Sequence, residues 1–352
     1  MSKKSAWWQI PFLLALVAGT IYVIREANNS PYQRHEGHIF GTTYHITYQS
    51  RDNLQAGIID ALQEVDACLS MFNDTSLIAR INRGEQPDVA GTMFEEVVSL
   101  ALDISKETGG AFDITVAPLV NAWGFGFKSG NMPSKEQVDS LMQLVGYQKI
   151  SLQRSAPPSR RTATVLHKQD PRTMLDCSAI AKGYGCDVVA RYLKRHDVNN
   201  FMVEIGGEVV AYGVNPDKQP WNIGIQKPVE ETPGKPSGQG GIQEIISLSG
   251  KALATSGNYR RFYYKDGKKY AHTIDPHTCM PVSHSLLSVT VLADDCATAD
   301  ALATSMMVMG LDSAQALCER HPEIEAYFIY EAPDGTLSCH FANNGAKLAT
   351  NR

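Results

Sequence analysis

The chain has 352 residues, 43% of them hydrophobic, and a formal net charge of −5. That is enough apolar material for a sizeable core, in one large domain or two intimate ones. The mild acidity and the lack of a long Lys/Arg run exclude a protein whose main business is binding nucleic acid. Phosphate-bearing small molecules stay open, because a pocket needs only local donors.

In chain order, the first feature is residues 10–24, IPFLLALVAGTIYVI, an uncharged run preceded by Lys3, Lys4, Trp7 and Trp8. Counting the tryptophans, about 18 apolar residues stand together, the lower limit for spanning a bilayer, and the lysines before them predict that the body lies outside. The favoured reading is an uncleaved anchor. The competing reading is a cleaved signal peptide, with Val17-Ala18-Gly19 as a small-residue cleavage site. The expected organisation is an anchor or signal over 1–27, a polar linker over 28–37, one body over 38–343 and a tail over 344–352.

Within the body, residues 37–50 alternate in the β manner. Apolar residues recur at helical spacing over 54–71 (Ile58, Leu62, Val65, Leu69) and over 93–108 (Val97, Leu100, Ala101, Ile104), the latter stopped by Gly109-Gly110. Further helices are predicted over 133–145, 185–196 and 297–309, and strands over 202–212 and 286–292. Residues 154–170 and 228–241 are rich in Pro, Gly, Ser and charge and read as loops. Helices and strands do not alternate strictly, so the expected fold class is α+β rather than a doubly wound sheet. The seven cysteines lack metal-type spacing; some could pair in an exported chain, but buried free thiols are the simpler expectation.

Four segments resemble neither ordinary core nor ordinary loop. In residues 111–126, AFDITVAPLVNAWGFG, Asp113 sits in an apolar run and aromatics lie between glycines, an arrangement that lets a flat ring approach the backbone or simply makes a tight capped loop. In residues 174–185, MLDCSAIAKGYG, Asp176 and Lys182 bracket small side chains. If a helix begins after Ala179, its N-terminus and Lys182 make a phosphate site, with Asp176 accepting from a ring N–H or sugar hydroxyl. The alternative is that Asp176 is a helix cap and Lys182 a solvated charge. In residues 203–213, VEIGGEVVAYG, the paired glycines signal a bulge or a close backbone approach. In the last segment, AHTIDPHTCMPV (271–282) and DDCATADALATSMMVMG (294–310), Asp300 and Thr304 share one side of a helix and form an oxygen-only pair suited to Mg²⁺. Caps and core threonines are the ordinary alternative.

Taken together, GTTYHI, FDITVAPLVNAWGFG, LDCSAIAKGYGCD, VEIGGEVVAYG, ATSGNYRRFY, HTIDPHTCMPV and DALATSMMVMG resemble the ApbE family of FAD:protein FMN transferases, in family order across roughly 38–343. The resemblance implies FAD as substrate, Mg²⁺ or another divalent cation, and transfer of FMN to a threonine hydroxyl of an exported acceptor protein with release of AMP. Typical acceptors belong to membrane redox complexes of the sodium-pumping quinone reductase (Nqr) and Rnf types. It further implies FAD contacts at Phe40, Phe72, Ala111, Phe112, Asp113, Asp176, Lys182 and Ile274. Metal ligation falls on Asp300 and Thr304, with the carbonyls of Ala179 and Ala303. The expected location is the periplasmic side of a bacterial inner membrane. For the acceptor's proton, His272 is the first candidate base and Asp275 the second, with Lys182 neutralising phosphate charge. Two departures stand out: Cys177 at a usually aliphatic position, and Cys279-Met280 where relatives carry Gly-x. Rival readings are a metal-dependent FAD pyrophosphohydrolase and an exported flavin-binding protein.

Overall fold

Eight strands form one antiparallel sheet, and they enter it in chain order: Tyr32–Ile39, Thr42–Gln49, Phe201–Ile205, Glu208–Tyr212, Lys251–Gly257, Leu286–Ala293, Glu325–Glu331 and Leu337–Ala342. The computed structural model describes residues 9–28, 30–126, 132–155, 163–229, 241–259, 262–265 and 267–343. The expected tail at 344–352 lies outside them.

The two-residue side-chain period of these strands builds two separate cores. Val210, Ala252, Ala254, Val289, Val291, Ala326 and Phe328 point to one face, where they meet the helices. Their neighbours Val209, Ala211, Leu253, Leu292, Tyr327 and Ile329 point to the other, under a two-stranded ribbon of Trp221–Gln226 and Ile242–Leu248 that contributes Trp221, Ile225, Ile246 and Leu248. Helices Gln55–Leu69, Ala181–Arg195 and Cys296–Met309 cover the first face, and Met93–Glu107 packs on Gln55–Leu69 and Cys296–Met309. The α+β expectation matches this architecture.

Several element readings need correction. Residues 32–37 of the expected linker are part of an edge strand paired to Thr42–Gln49. That strand is largely polar and only partly covered, so it carries no apolar alternation to read. The single strand expected over 202–212 is a hairpin. Gly206 and Gly207 both have positive φ (64° and 105°), the geometry of a tight two-residue turn rather than a bulge. Residues 163–168, read as loop, pair as a strand with Ile150–Ser155. All seven cysteines are free, and Cys177, Cys186, Cys279, Cys296 and Cys318 are buried.

Gln9–Asn28 is a single helix whose side chains from Ile10 to Thr20 are exposed. Among the described residues no helix is long and apolar enough to cross a membrane. At 1.5 Å per residue the uncharged stretch 10–24 reaches roughly 22 Å, short of a hydrocarbon core about 30 Å thick. Trp7 and Trp8, which lengthened the run in the sequence, lie outside the described residues.

Candidate functional site

A cavity of about 650 Å³ is lined by residues from all four segments singled out in the sequence. Ala111, Phe112, Asp113, Asp176, Ala179, Lys182, His272, Ile274, Asp300 and Thr304 face it, with Phe40 and Phe72 contributed from elsewhere. Two expected site residues do not line it. Ala303 is buried in its helix, and Asp275 is turned into its own loop. Its Oδ1 accepts from the His277 amide (2.9 Å) and its Oδ2 from the Thr278 hydroxyl (2.9 Å).

The helix carrying Lys182 begins at Ala181, four residues too late for Asp176 to be its N-cap. Its N-cap is Ile180, with no side-chain cap. Asp176 instead closes a turn, accepting from the Ser178 amide at 2.8 Å, while its own amide donates to the Ile114 carbonyl at 2.7 Å. That bond ties the Asp176 loop to the turn carrying Asp113. The Asp113 carboxylate is also committed: Oδ1 accepts from the Thr115 amide and hydroxyl, and Oδ2 from the Tyr147 amide at 2.7 Å. Burial raises the Asp113 carboxyl above its ordinary value, and these hydrogen bonds oppose the rise. Asp113 therefore shapes the cavity wall as the cap of a tight loop. Cys279, in the turn whose shape its side chain put in question, has φ +59°, so the left-handed geometry a glycine would take is kept.

The charged centre of the cavity lies between two helices and a strand. Lys182 Nζ stands 3.0 Å from Glu208 Oε1 and 3.4 Å from Asp300 Oδ1. The second Asp300 oxygen accepts from the Gly183 amide at 3.1 Å. That amide is therefore committed to Asp300, whereas the sequence reading had it open to a phosphate. Burial opposes the charge on Lys182, but the Asp300 and Glu208 carboxylates outweigh it and hold the ammonium's pKa above its ordinary value. Burial pushes the Glu208 carboxyl above its ordinary value, with the Lys182 ammonium opposing the shift and Asp300 adding to it. Glu208 was not among the expected site residues. Its signal was available once Gly206-Gly207 is read as a hairpin, because the period of two then places Glu208 with Val210 on the helix face.

Two contacts fix how these helices cross. Asp187, on the lysine helix, accepts from the amides of Cys296 and Ala297 (both 2.9 Å) and so caps the helix that carries Asp300. At Gly183 an added Cβ would lie 2.2 Å from the Cys296 carbonyl oxygen. Because the obstacle is backbone, Gly183→Ala should force the helices apart, at a cost of about 3 kcal/mol. The expected result is a lower melting temperature together with weaker divalent-cation binding; unchanged values of both would mean the helices cross with more slack.

Aromatic side chains make another wall. Phe125 stacks on Tyr263 with ring centroids 5.3 Å apart and meets His272 edge-on at 6.4 Å. Tyr263 stacks on Tyr270, which stacks on the buried Trp123. The glycine-flanked aromatics of residues 123–126 thus support the wall, with Phe125 reaching the cavity.

The ApbE family model matches residues 40–328. The chain is 37% identical over 309 residues to the FAD:protein FMN transferase of Vibrio cholerae, covering 85% of this chain and 87% of that protein. It is 35% identical over 314 residues to the FAD:protein FMN transferase of Haemophilus influenzae, covering 86% and 87%. Among solved structures, the flavin transferase ApbE from Vibrio cholerae superposes with a TM-score of 0.79 at 34% identity, covering 91% of this chain and 99% of that one. The apo form of Pseudomonas stutzeri flavinyl transferase ApbE gives 0.77 at 31%, covering 90% and 96%. A family match over most of the length, with the fold shared end to end, leads to one conclusion: this chain belongs to the ApbE family.

Proposed function

We propose that this chain transfers the FMN moiety of FAD to a threonine hydroxyl of an exported acceptor protein, releasing AMP. The observation that carries the reading is the meeting of Lys182, Asp300 and Thr304 in one cavity walled by aromatic side chains. The relatives named FAD:protein FMN transferase, similar over nearly their whole length, support it.

The donor set fits a divalent cation that arrives with its substrate. Among the described residues no three His, Cys, Asp or Glu side chains converge as a metal cluster. Asp300 supplies one carboxylate and Thr304 a neutral oxygen, with the Ala179 and Ala303 carbonyls as further proposed donors. Mg²⁺ characteristically takes one or two carboxylates and completes its shell with substrate phosphates. When bound, the cation would neutralise charge on the diphosphate. Charge balance points the same way: one ammonium between two buried carboxylates does not attract a diphosphate without a further positive charge.

In the proposed reaction the threonine Oγ bonds to the FMN phosphorus and the phosphorus–oxygen bond to AMP breaks. AMP leaves with the electron pair, and His272 takes the threonine proton. His272 lines the cavity, whereas Asp275 is held in its own turn. Lys182 is proposed to hold the diphosphate. Phe40, Phe72, Ala111, Phe112, Asp113, Asp176 and Ile274 are proposed to receive the rest of FAD. AMP release that requires an acceptor protein would support transfer, and equal AMP release without one would identify a hydrolase instead.

The proposed acceptors are exported subunits of Nqr- and Rnf-type redox complexes. The proposed location is the periplasmic side of a bacterial inner membrane, attached through the whole N-terminal segment 1–27, since the described helix by itself falls short of a span. N-terminal sequencing of the membrane fraction should return the uncleaved N-terminus; a chain beginning near Thr20 in the soluble fraction would overturn the attachment.

A further inference from the structure

We infer that Glu208 is a positioning residue for Lys182, the fixed counter-ion that keeps the ammonium aimed at the diphosphate when a cation takes Asp300. The inference rests on the reading of this cavity as a diphosphate and cation site. Glu208 is the first residue after the Gly206-Gly207 hairpin and is 3% exposed. Its Oε1 is the closest carboxylate oxygen to Lys182 Nζ, at 3.0 Å against 3.4 and 3.5 Å for the two Asp300 oxygens. Its Oε2 is buried with no hydrogen-bond partner among the described residues.

These facts divide the labour between the two carboxylates. Asp300 sits on a helix face beside Thr304 and has a second task, accepting the Gly183 amide. Among the described residues the Glu208 carboxylate has no such second hydrogen bond, and its one ion pair is with Lys182. A cation on Asp300 repels Lys182 from that side, and the ammonium then has one anionic partner left. The lysine stem runs beside the hairpin, where a Cβ on Gly206 would stand in ordinary contact with it, 3.4 Å from Lys182 Cδ. Held at its head by Glu208, the ammonium is delivered to one place rather than sweeping the cavity. Preorganised charge of this kind is worth more than the same charge on a free side chain.

The test is fluorescence titration of FAD and of riboflavin into the full chain, first with chelator and then with Mg²⁺. Variants are Glu208→Gln, Glu208→Asp, Lys182→Met and the double variant Lys182→Met/Glu208→Gln. Glu208→Gln keeps the shape and should weaken FAD binding about tenfold with Mg²⁺ present and less with chelator, where Asp300 still holds the ammonium, while riboflavin binding stays the same. Glu208→Asp keeps the charge and should recover part of the loss, an outcome that a packing role would not produce. In the double variant the Glu208 change should add nothing to Lys182→Met, because its effect passes through the lysine. Additive losses would overturn the inference. So would unchanged FAD affinity in Glu208→Gln, or a loss confined to Mg²⁺ binding, which would make Glu208 a cation ligand. If Glu208→Gln does not fold, the Glu208→Asp titration decides, since affinity for FAD equal to wild type despite the shortened reach would also overturn it. Failure of the wild-type chain to bind FAD more tightly than riboflavin would instead remove the reading of the cavity on which the inference rests.

Discussion

Asp300→Asn should lower FMN transfer about a thousandfold while the protein keeps its fold, the scale of loss seen when one electrostatic stabiliser of a developing charge is removed. The substitution preserves side-chain volume at a position only 5% exposed, so the packing around it is undisturbed. Its remaining oxygen can still accept the Gly183 amide, now held at 3.1 Å. What disappears is the carboxylate charge that is the proposed centre of the cation site. Asp300→Ala is the poorer test, because it strands the Gly183 amide and Lys182 as well and adds about 1–3 kcal/mol of instability. Thr304→Val, nearly isosteric, should cost less activity and be partly restored by excess Mg²⁺, since a neutral ligand contributes less than a charged one. The check is transfer rate with and without chelator, alongside a thermal melt. Wild-type transfer by a folded Asp300→Asn protein would return that helix to ordinary core.

Lys182→Met should weaken FAD binding between about tenfold and a hundredfold, the range of a hydrogen bond to a charged group. Riboflavin, which lacks the phosphates, should bind as well as to the wild type. Methionine retains the apolar stem that runs past the Gly206-Gly207 hairpin, so the cavity keeps its shape. The loss of charge leaves Glu208 and Asp300 without the ammonium between them, and the stability of the variant should fall too. Titration of both flavins separates these effects, because destabilisation alone lowers both affinities together. Equal losses for FAD and riboflavin would contradict a diphosphate contact.

How much of this was legible in the sequence depends on whether a residue's partners are local. The helices over Gln55–Leu69 and Met93–Glu107 carry period-3.6 apolar residues, Cys296–Met309 is apolar nearly all round, and the sequence places all three to within a few residues. The Asp300–Thr304 pair was readable because it depends only on helical spacing. The edge strand Tyr32–Ile39 was not, because it is covered on neither face well enough to need apolar alternation. Glu208 was missed because its partner, Lys182, lies 26 positions away and meets it only once a strand and a helix pack together. Asp187 was missed for the same reason: it caps a helix more than a hundred residues later in the chain. Asp275 shows the opposite failure. Its residue type suits a base, but the Asp-Pro-His-Thr turn uses both of its oxygens locally.

The central claim is covalent transfer of FMN to a protein, and intact-mass spectrometry of the acceptor tests it most directly. An exported redox-subunit domain carrying the motif threonine would be incubated with the full chain, FAD and Mg²⁺, and its mass compared with that of the same domain bearing Thr→Ala at that position. The account predicts a gain of one FMN on the threonine-bearing domain only, lost with chelator and with Asp300→Asn. Conversion of FAD to free FMN and AMP, with the acceptor mass unchanged, would contradict it.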